Sequence, residues 1–256
     1  MANVSIAKRV AGRFRREIKE IHRRPAPQEQ GFTCPVCGNG SFTFGRILWP
    51  RLVREWQIPP DEAKIIDHRE GTECTKCRAN FRSMVLADAI MTIFGCDATL
   101  EDFVKSREAA EINILEVNTA GSLNPTLKKM PRHQLGEYPK LDMLKMPFAA
   151  GAFDLIVHSD TLEHVPNPIA ALAECRRVLK VGGALCYTIP IIPSRMSRSR
   201  EGLEPSYHGG SEEAGGDWQV QTEYGADAWT HPLRAGFTDV TFHALDYPTA
   251  FAIISS

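Results

Sequence analysis

Four cysteines are spaced as ligands of a single metal ion. Cys34 and Cys37 form one Cys-x-x-Cys pair, and Cys74 and Cys77 form a second pair further along the chain. Each pair can direct two thiolates at the same ion, and two pairs complete the tetrahedral shell that zinc prefers. A redox-active pair would not need a second one. The pattern therefore predicts a structural zinc ion, with the segment between the pairs folding back to bring them together.

Two histidines and an aspartate are candidates for proton transfer. Asp160 and His164 follow the apolar run Phe153–His158, and His208 lies in a long loop, residues 191–223, that is rich in glycine and serine. Histidine exchanges a proton near neutral pH, because its unperturbed pKa is about 6.5. Each histidine is therefore a candidate base, and Asp160 is a further candidate catalytic residue. A packing role for His164 and a solvated loop around His208 are compatible with the same pattern.

Four short motifs occur in order in the second half of the chain. They begin at Asp142, Phe153, Leu162 and Arg177 and read D-M-L-K-M-P-F, F-D-L-I-V, L-E-H-V and R-V-L-K-V-G-G. This order resembles the type 11 branch of the class I S-adenosylmethionine-dependent methyltransferases, which show D-x-x-x-L-P-F, F-D-x-V, L-E-H-V and R-V-L-K-P-G-G. Each motif alone is weak, but four in order are specific. Only Val181, where the family usually has proline, departs from the last motif.

The resemblance implies an α/β fold with a Rossmann-like seven-stranded sheet of the class I methyltransferase type. It implies that S-adenosylmethionine binds at the carboxyl ends of the first strands, the edge at which open α/β sheets bind ligands. Glu116 is expected near the methionine end of the cofactor, and Glu137 at the ribose hydroxyls. Asp142 is expected at the adenine amine, with Met143 against the ring. The full set of predicted cofactor contacts is Glu116, Asn118, Ala120, Gly121, Glu137, Asp142, Met143 and Ser159.

The loop after the first predicted strand departs from the family's pattern. The family reads E-x-G-x-G-x-G, whereas this chain reads E-V-N-T-A-G-S from Glu116 to Ser122. Asn118 tolerates a left-handed backbone, and Gly121 gives permissive geometry one position early, so the loop can still turn. The alternative interpretation is a domain that keeps the fold and has lost the cofactor.

Alternating strands and helices must position these residues. Apolar runs predict five strands: Ile112–Val117, Phe153–His158, Ala184–Pro190, Val240–Ala244 and Ala250–Ile254. Helices are predicted over residues 80–94 with Asn80 as N-cap, after Thr99, and over Asn167–Lys180 with Asn167 as N-cap. Gly182 and Gly183 are expected to end the last helix and open the next strand. This alternation predicts a mostly parallel sheet covered on both faces.

The chain is predicted to have three parts. Residues 1–30 form a basic amphipathic helix and linker, residues 31–110 a zinc-binding module with helices, and residues 111–256 the S-adenosylmethionine-dependent methyltransferase domain. The first part carries eight Lys or Arg residues against three Glu, in a chain of net charge −1. Its basic face is either a solvated helix surface or an arm for anionic partners.

Cysteine usage and hydropathy favour a protein of the reducing cytoplasm. No apolar run approaches the roughly 18 residues that a membrane span needs, and the first residues lack the apolar region of a signal peptide. The sequence therefore predicts a cytoplasmic protein without a transmembrane segment, whose cysteines bind metal rather than form disulfides. Three cysteines are expected to be ordinary buried thiols: Cys96, Cys175 and Cys186.

Three functions are compatible with these features. The favoured one is methyl transfer to a hydroxyl of a small molecule or glycan. The acceptor would be anionic if the loop arginines Arg195, Arg198 and Arg200 clamp it. The second is RNA methylation, which the basic N-terminal segment supports and the near-neutral remainder of the chain disfavours. The third is a non-catalytic partner protein. Cofactor binding separates the third function from the others, and salt-dependent RNA binding separates the second from the first.

Overall fold

The structure is a computed structural model that describes residues 23–26, 31–48, 50–55, 57–207 and 218–256, with side chains 51, 52 and 55 left out. The predicted basic helix and His208 lie outside the described residues.

The strands are β1 Arg24–Pro25, β2 Phe42–Phe44, β3 Thr72–Cys74, β4 Ile114–Val117, β5 His133–Gly136, β6 Phe153–Ser159, β7 Leu179–Thr188, β8 Ile191–Ile192, β9 Arg198–Ser199, β10 Thr222–Gly225, β11 Val240–Leu245 and β12 Ala250–Ser255. The helices are α1 Pro50–Glu55, α2 Pro60–Gly71, α3 Phe81–Ile93, α4 Leu100–Phe103, α5 Arg107–Glu111, α6 Asn124–Leu127, α7 Pro168–Val178 and α8 Thr230–Arg234.

A central sheet dominates the fold, in the order β11-β12-β7-β6-β4-β5. The strands β7, β6, β4 and β5 run parallel, whereas β12 pairs antiparallel with both β7 and β11. The α/β class and the five predicted strands are confirmed, with ends that shift by a few residues. The sheet has six strands in the described part of the chain, not the seven expected. Residues 137–152, which connect β5 to β6, form turns and contain no further strand.

The start of β7 corrects a second expectation. The helix α7 ends at Val178, and the strand begins at once with Leu179. Phe153 pairs with Leu179 but Leu155 pairs with Ala184, so the intervening residues bulge out of the sheet. Gly182 takes a left-handed φ of 79° in this bulge. The two glycines therefore lie inside the strand instead of before it, because a bulge needs the backbone freedom of glycine.

Three helices begin where the cap residues predict. The side chains of Asn80, Thr99 and Asn167 each accept a hydrogen bond from the backbone N–H three residues later. These bonds satisfy donors that the first helical turn leaves without an intrahelical partner. Local sequence therefore fixes the starts of α3, α4 and α7.

One hydrophobic core joins the cysteine segment, residues 31–82, to the sheet. The helix α3 packs against β12, β11 and β7. Cys34 and Phe42 from the cysteine segment belong to the same buried cluster as Ile114, Val157 and Ala252 from the sheet. A second cluster lies on the opposite face, between the sheet and α7. The domain boundary at residue 110 stays a prediction, but α3, which precedes it, is part of the layer that covers the sheet.

No helix that the structure describes combines the length and the apolar character that crossing a membrane requires.

Candidate metal and cofactor sites

Two matched turns hold the four cysteines. In the first turn the backbone N–H of Gly38 donates to the Cys34 carbonyl at 2.8 Å, and in the second the N–H of Arg78 donates to the Cys74 carbonyl at 3.0 Å. Gly38 and Arg78 both have a left-handed backbone, with φ of 73° and 66°. The pairing of β2 with β3 brings the turns together. The intervening segment thus folds back as the spacing required.

The four sulfur atoms form a compact cluster. Cys34 Sγ lies 3.6 Å from Cys77 Sγ, and Cys37 Sγ lies 3.6 Å from Cys74 Sγ. All four atoms lie within 4.8 Å of one another. A tetrahedron with Zn–S bonds of about 2.3 Å has S···S edges of about 3.8 Å, whereas a disulfide needs about 2.05 Å. The thiols therefore fit one zinc ion. Contact with the Cys34 thiol lowers the pKa of Cys77 below the usual value of a thiol.

Glu116 anchors the loop that follows β4. Its carboxylate is fully buried and accepts hydrogen bonds from the Ala120 backbone N–H at 2.7 Å and from Asn124 Nδ2 at 2.9 Å. His133 Nε2 on the neighbouring β5 lies 2.6 Å from the same carboxylate. The structure thus places Glu116 beneath the loop, with the buried Ala120 as the point at which the loop backbone is bonded to it.

Asn118 performs in this loop what glycine does in the family's motif. It takes a left-handed φ of 53°, and its N–H donates to the Gly136 carbonyl at 2.7 Å. Its side-chain oxygen accepts from the Tyr138 N–H at 3.0 Å, and its amide nitrogen lies 3.4 Å from Thr161 Oγ1. One asparagine therefore ties together the loops that follow β4, β5 and β6.

The left-handed backbone and the close approach of a neighbouring side chain both favour glycine at position 121. Its φ is 56°, and a Cβ atom there would stand 2.9 Å from Ser83 Oγ of α3.

We expect Gly121→Ala to lower the free energy of unfolding by about 1–2 kcal/mol for the left-handed backbone, with about 1 kcal/mol more for the close contact. Gly151→Ala is the matched control, because Gly151 has a φ of 68° and open space around its Cβ position. Equal losses in urea melts of the two variants would contradict a steric role for Ser83.

Glu137 and Asp142 lie at the predicted adenosine end. Glu137 directly follows β5 and is exposed. Asp142 is also exposed, and its Oδ1 accepts a hydrogen bond from the Leu144 N–H at 2.8 Å, which fixes the carboxylate at the surface. Met143, in contrast, is buried with Leu141 in the core. The exposed side chain beside it is that of Leu144. The contact of Met143 with the adenine ring stays a prediction.

The end of β6 meets the first turn of α3. Ser159 is buried, and its hydroxyl lies 2.8 Å from Thr188 Oγ1 and 3.3 Å from Arg82 Nη1. Asp160 follows with a left-handed φ of 44° and forms an ion pair with Arg82. Arg82 lies in the cysteine segment, and sequence reasoning did not single it out. The only local signal was its place in the first turn of a capped helix.

His164 lies at the mouth of this region. Its Nδ1 is 3.1 Å from the Gln219 carbonyl oxygen, and its Nε2 is 3.6 Å from Glu163 Oε1. The Gln221 N–H donates to the Glu163 carbonyl at 2.7 Å, which holds the start of β10 over the turn Leu162–His164. The ring of Trp218, which is partly exposed, stands edge-on to His164 at 6.1 Å.

His158 is a nearby histidine with a different environment. It is fully buried and stacks on Tyr187 at 4.7 Å. Burial lowers the pKa of His158 to about 4, against the smaller opposing effect of the Glu163 charge. The ring therefore stays neutral at physiological pH, and its burial removes it from the candidate bases.

The three loop arginines are held by carboxylates of the chain itself. Arg195 Nε donates to Glu62 at 2.9 Å, and Arg198 Nε donates to Glu223 at 2.6 Å. Arg200 also pairs with Glu223. These bonds hold the guanidinium groups in place and partly offset their charge, since three arginines face two carboxylates. A clamp of these arginines on an anionic acceptor stays a prediction.

A family comparison covers the elements that build this region. Residues 77–187 match a family model described as "Methyltransferase domain". The matched residues begin at Cys77, the last of the four clustered cysteines, include Arg82, and end within β7.

Individual relatives match parts of the chain. A ubiquinone biosynthesis O-methyltransferase of Actinobacillus pleuropneumoniae is 28% identical over 112 residues, which cover 44% of this chain and 42% of the relative. A ubiquinone/menaquinone biosynthesis C-methyltransferase of Xylella fastidiosa is 26% identical over 156 residues, which cover 58% and 59%. The chain thus spans about half the length of the curated relatives it matches. A solved SAM-dependent methyltransferase from Aquifex aeolicus gives a TM-score of 0.35 at 16% identity, covering 56% of this chain and 80% of its own.

Proposed function

We propose that this chain is an S-adenosylmethionine-dependent methyltransferase that methylates a hydroxyl group of a small molecule or glycan. The cofactor is proposed to lie along the carboxyl ends of β4, β5 and β6, where the loop 118–122, Glu137 and Asp142 converge. The match of residues 77–187 to a methyltransferase family supports this assignment. The same site contains a histidine with a defined hydrogen-bonding state.

The position of His164 carries the proposal for a hydroxyl acceptor. A carbonyl oxygen can only accept, so the contact with Gln219 places the proton on Nδ1. Nε2 of the neutral ring is then the basic nitrogen. The Glu163 carboxylate, 3.6 Å from Nε2, would stabilise the imidazolium that forms when this nitrogen takes up a proton. A basic nitrogen beside a carboxylate supports a role for His164 as a general base.

The chemistry divides between the cofactor and the chain. The bound cofactor supplies an electrophilic methyl group on a sulfonium. The chain must hold the acceptor oxygen in line with that group and keep water out, and orientation of this kind supplies much of the rate enhancement. His164 would accept the hydroxyl proton as the C–O bond forms and the methyl carbon–sulfur bond breaks, with S-adenosylhomocysteine as the leaving group. A positioned base contributes about a hundred- to ten-thousandfold.

We expect His164→Gln to lower turnover at saturating cofactor by at least about tenfold, because the variant lacks the basic nitrogen. Turnover is measured with methyl-labelled cofactor against a panel of catechols, hydroquinones and hexosides. His243→Gln is the control, since His243 lies on the edge strand β11 and bonds to Asp88 of α3. Equal turnover of the two variants would contradict the base assignment.

Product analysis separates the proposal from ring-carbon methylation, the reaction named for one of the relatives. NMR of the isolated product distinguishes a methoxy group from a methyl group on a ring carbon. A methoxy product supports the hydroxyl acceptor. A ring-methyl product would replace it with a carbon acceptor, for which His164 would still serve as the proton acceptor.

A further inference from the structure

The helix α2 is joined directly to the four-cysteine cluster. It ends at Gly71, and β3 begins with the next residue and ends at Cys74, one of the four clustered cysteines. The Gly45 N–H donates to the Gly71 carbonyl at 3.0 Å, which extends the pairing of β2 with β3 to the end of the helix. The ladder that brings the two cysteine turns together therefore also sets the direction of α2.

One face of α2 holds the chain that follows β7. Glu62 and Arg69 are both buried, and their spacing of two helical turns places them on the same face. Glu62 accepts hydrogen bonds from Ser194 Oγ at 2.6 Å and from Arg195 Nε at 2.9 Å. Arg69 Nη1 donates to the Ile191 carbonyl at 3.1 Å. The helix therefore fastens β8 and the turn after it at two points.

The contact between Glu62 and Arg195 is charge-assisted. Burial raises the pKa of the Glu62 carboxyl, but hydrogen bonds from Arg195 and Ser194 outweigh this effect and hold the pKa below its usual range. Two guanidinium nitrogens of Arg195 donate to the two oxygens of the carboxylate. Such a bidentate pair is stronger and more directional than a neutral hydrogen bond. It therefore restrains both the position and the orientation of the turn after β8.

The turn after β8 is in direct contact with β10. β8 pairs in parallel with β10, with Ile191 opposite Tyr224. The Ala226 N–H donates to the Arg195 carbonyl at 2.7 Å, and a Cβ atom at Gly225 would stand 2.1 Å from the same carbonyl oxygen. Backbones packed this closely cannot shift independently. The restraint that Glu62 places on the turn therefore extends to β10.

The residues just before β10 hold the candidate base. The Gln221 N–H donates to the Glu163 carbonyl at 2.7 Å, and the Gln219 carbonyl oxygen lies 3.1 Å from His164 Nδ1. The second contact places the ring proton on Nδ1 and leaves Nε2 as the basic nitrogen. A continuous run of contacts therefore joins α2 to the atom that sets the tautomer of His164.

We propose that Glu62 is a positioning residue that fixes the tautomer of His164 through Arg195 and β10. This role rests on the proposed function, in which His164 accepts the hydroxyl proton. It gives the segment between the cysteine pairs a task in methyl transfer, because α2 holds the strand whose approach orients the base. Glu62 thus acts on proton transfer and not on binding of the cofactor.

The tautomer of His164 tests this role without an acceptor. In the full chain with isotope-labelled histidine, the His164 ring signals are those missing from His164→Gln, and NMR at mildly alkaline pH should show the proton on Nδ1. We expect Glu62→Gln to give a mixture of both tautomers. Arg195 is 34% exposed, so water can solvate its guanidinium and the variant should keep its fold. Asp61→Asn is the control and should leave the ring unchanged, because Asp61 pairs with Lys64 at the surface.

Turnover with the same acceptor panel provides the second arm. We expect Glu62→Gln to lower turnover at saturating cofactor by at least about fivefold, because a misplaced base takes up the proton less effectively. The affinity for S-adenosylhomocysteine should stay within about twofold. The Glu62→Gln, His164→Gln double variant should be no slower than His164→Gln alone, because both residues act through one base. Glu62→Asp keeps the charge and should recover a large part of the turnover.

Three results would overturn the inference. The first is a proton on Nε2 of His164 in the unaltered protein, and the second is an unchanged tautomer in Glu62→Gln, whatever the effect on turnover. The third is an equal loss of turnover and of affinity for S-adenosylhomocysteine in Glu62→Gln, which would show a merely structural role. An unaltered protein that binds no cofactor and methylates no acceptor would instead overturn the proposed function, and the NMR comparison would still decide whether Glu62 positions His164.

Discussion

Replacing Cys74 with serine is expected to remove the metal and destabilise the whole chain. Cys74 is fully buried and contributes one of the four clustered sulfurs. Binding of structural zinc is worth on the order of 10 kcal/mol in small zinc-binding domains. We therefore expect the variant to lose most of its zinc and about 3 kcal/mol or more of its free energy of unfolding. Metal analysis of protein purified without added zinc should give about one equivalent for the unaltered chain.

Cys96→Ser is the matched control for this experiment. Cys96 lies outside the four-sulfur cluster and is partly exposed, so its substitution should leave the zinc content and thermal stability nearly unchanged. A Cys74→Ser protein with a full equivalent of zinc and an unchanged melting temperature would contradict the assignment of the four cysteines as a zinc site.

Replacing Glu116 with alanine is expected to have the second large effect. The substitution removes the acceptor for the Ala120 N–H and Asn124 Nδ2 and leaves His133 without its carboxylate partner. Removing one side of a buried charged network typically costs about 3–5 kcal/mol. The loop 118–122 would also lose its anchor, so we expect the affinity for S-adenosylhomocysteine to fall by at least about tenfold, the equivalent of about 1.4 kcal/mol.

An exposed acid provides the comparison for Glu116. Glu111 pairs with Arg132 at the surface, where such pairs are worth at most about 1 kcal/mol. Glu111→Ala should therefore leave both urea stability and ligand affinity close to their original values. Glu116→Gln keeps the shape of the side chain and should lie between the two. A Glu116→Ala protein as stable as Glu111→Ala would rule out the anchoring role.

Local signals account for what the sequence predicted correctly. The caps at Asn80 and Asn167 follow from residue type, because each side chain satisfies a donor only three residues away. Apolar runs located β4 and β6 within two residues, since a buried parallel strand needs apolar side chains on both faces. The cysteine spacing predicted a four-sulfur cluster for a similar reason, because each turn is closed by bonds within itself.

Features that depend on distant residues were not predicted. The strand count came from the family's pattern, and the turns of residues 137–152 use up the length that a seventh strand needs. The Arg82–Asp160 pair joins residues far apart in sequence, and neither position shows a pattern that points to the other. The arginines of the loop looked available in the sequence, whereas the fold brings Glu62 and Glu223 against them. Cofactor contacts at Glu137 and Asp142 stay predictions.

Truncation cannot separate the cysteine segment from the sheet without exposing the hydrophobic core that they share. A fragment trimmed to begin at β4 would lose α3 and uncover the apolar faces of β6, β7 and β12, with Val157, Cys186 and Ala252 open to water. A contiguous apolar surface of this kind promotes aggregation. Recombinant fragments that keep the fold must therefore retain both cysteine turns, with the N-terminal cut placed before Ala26, which packs into the same cluster.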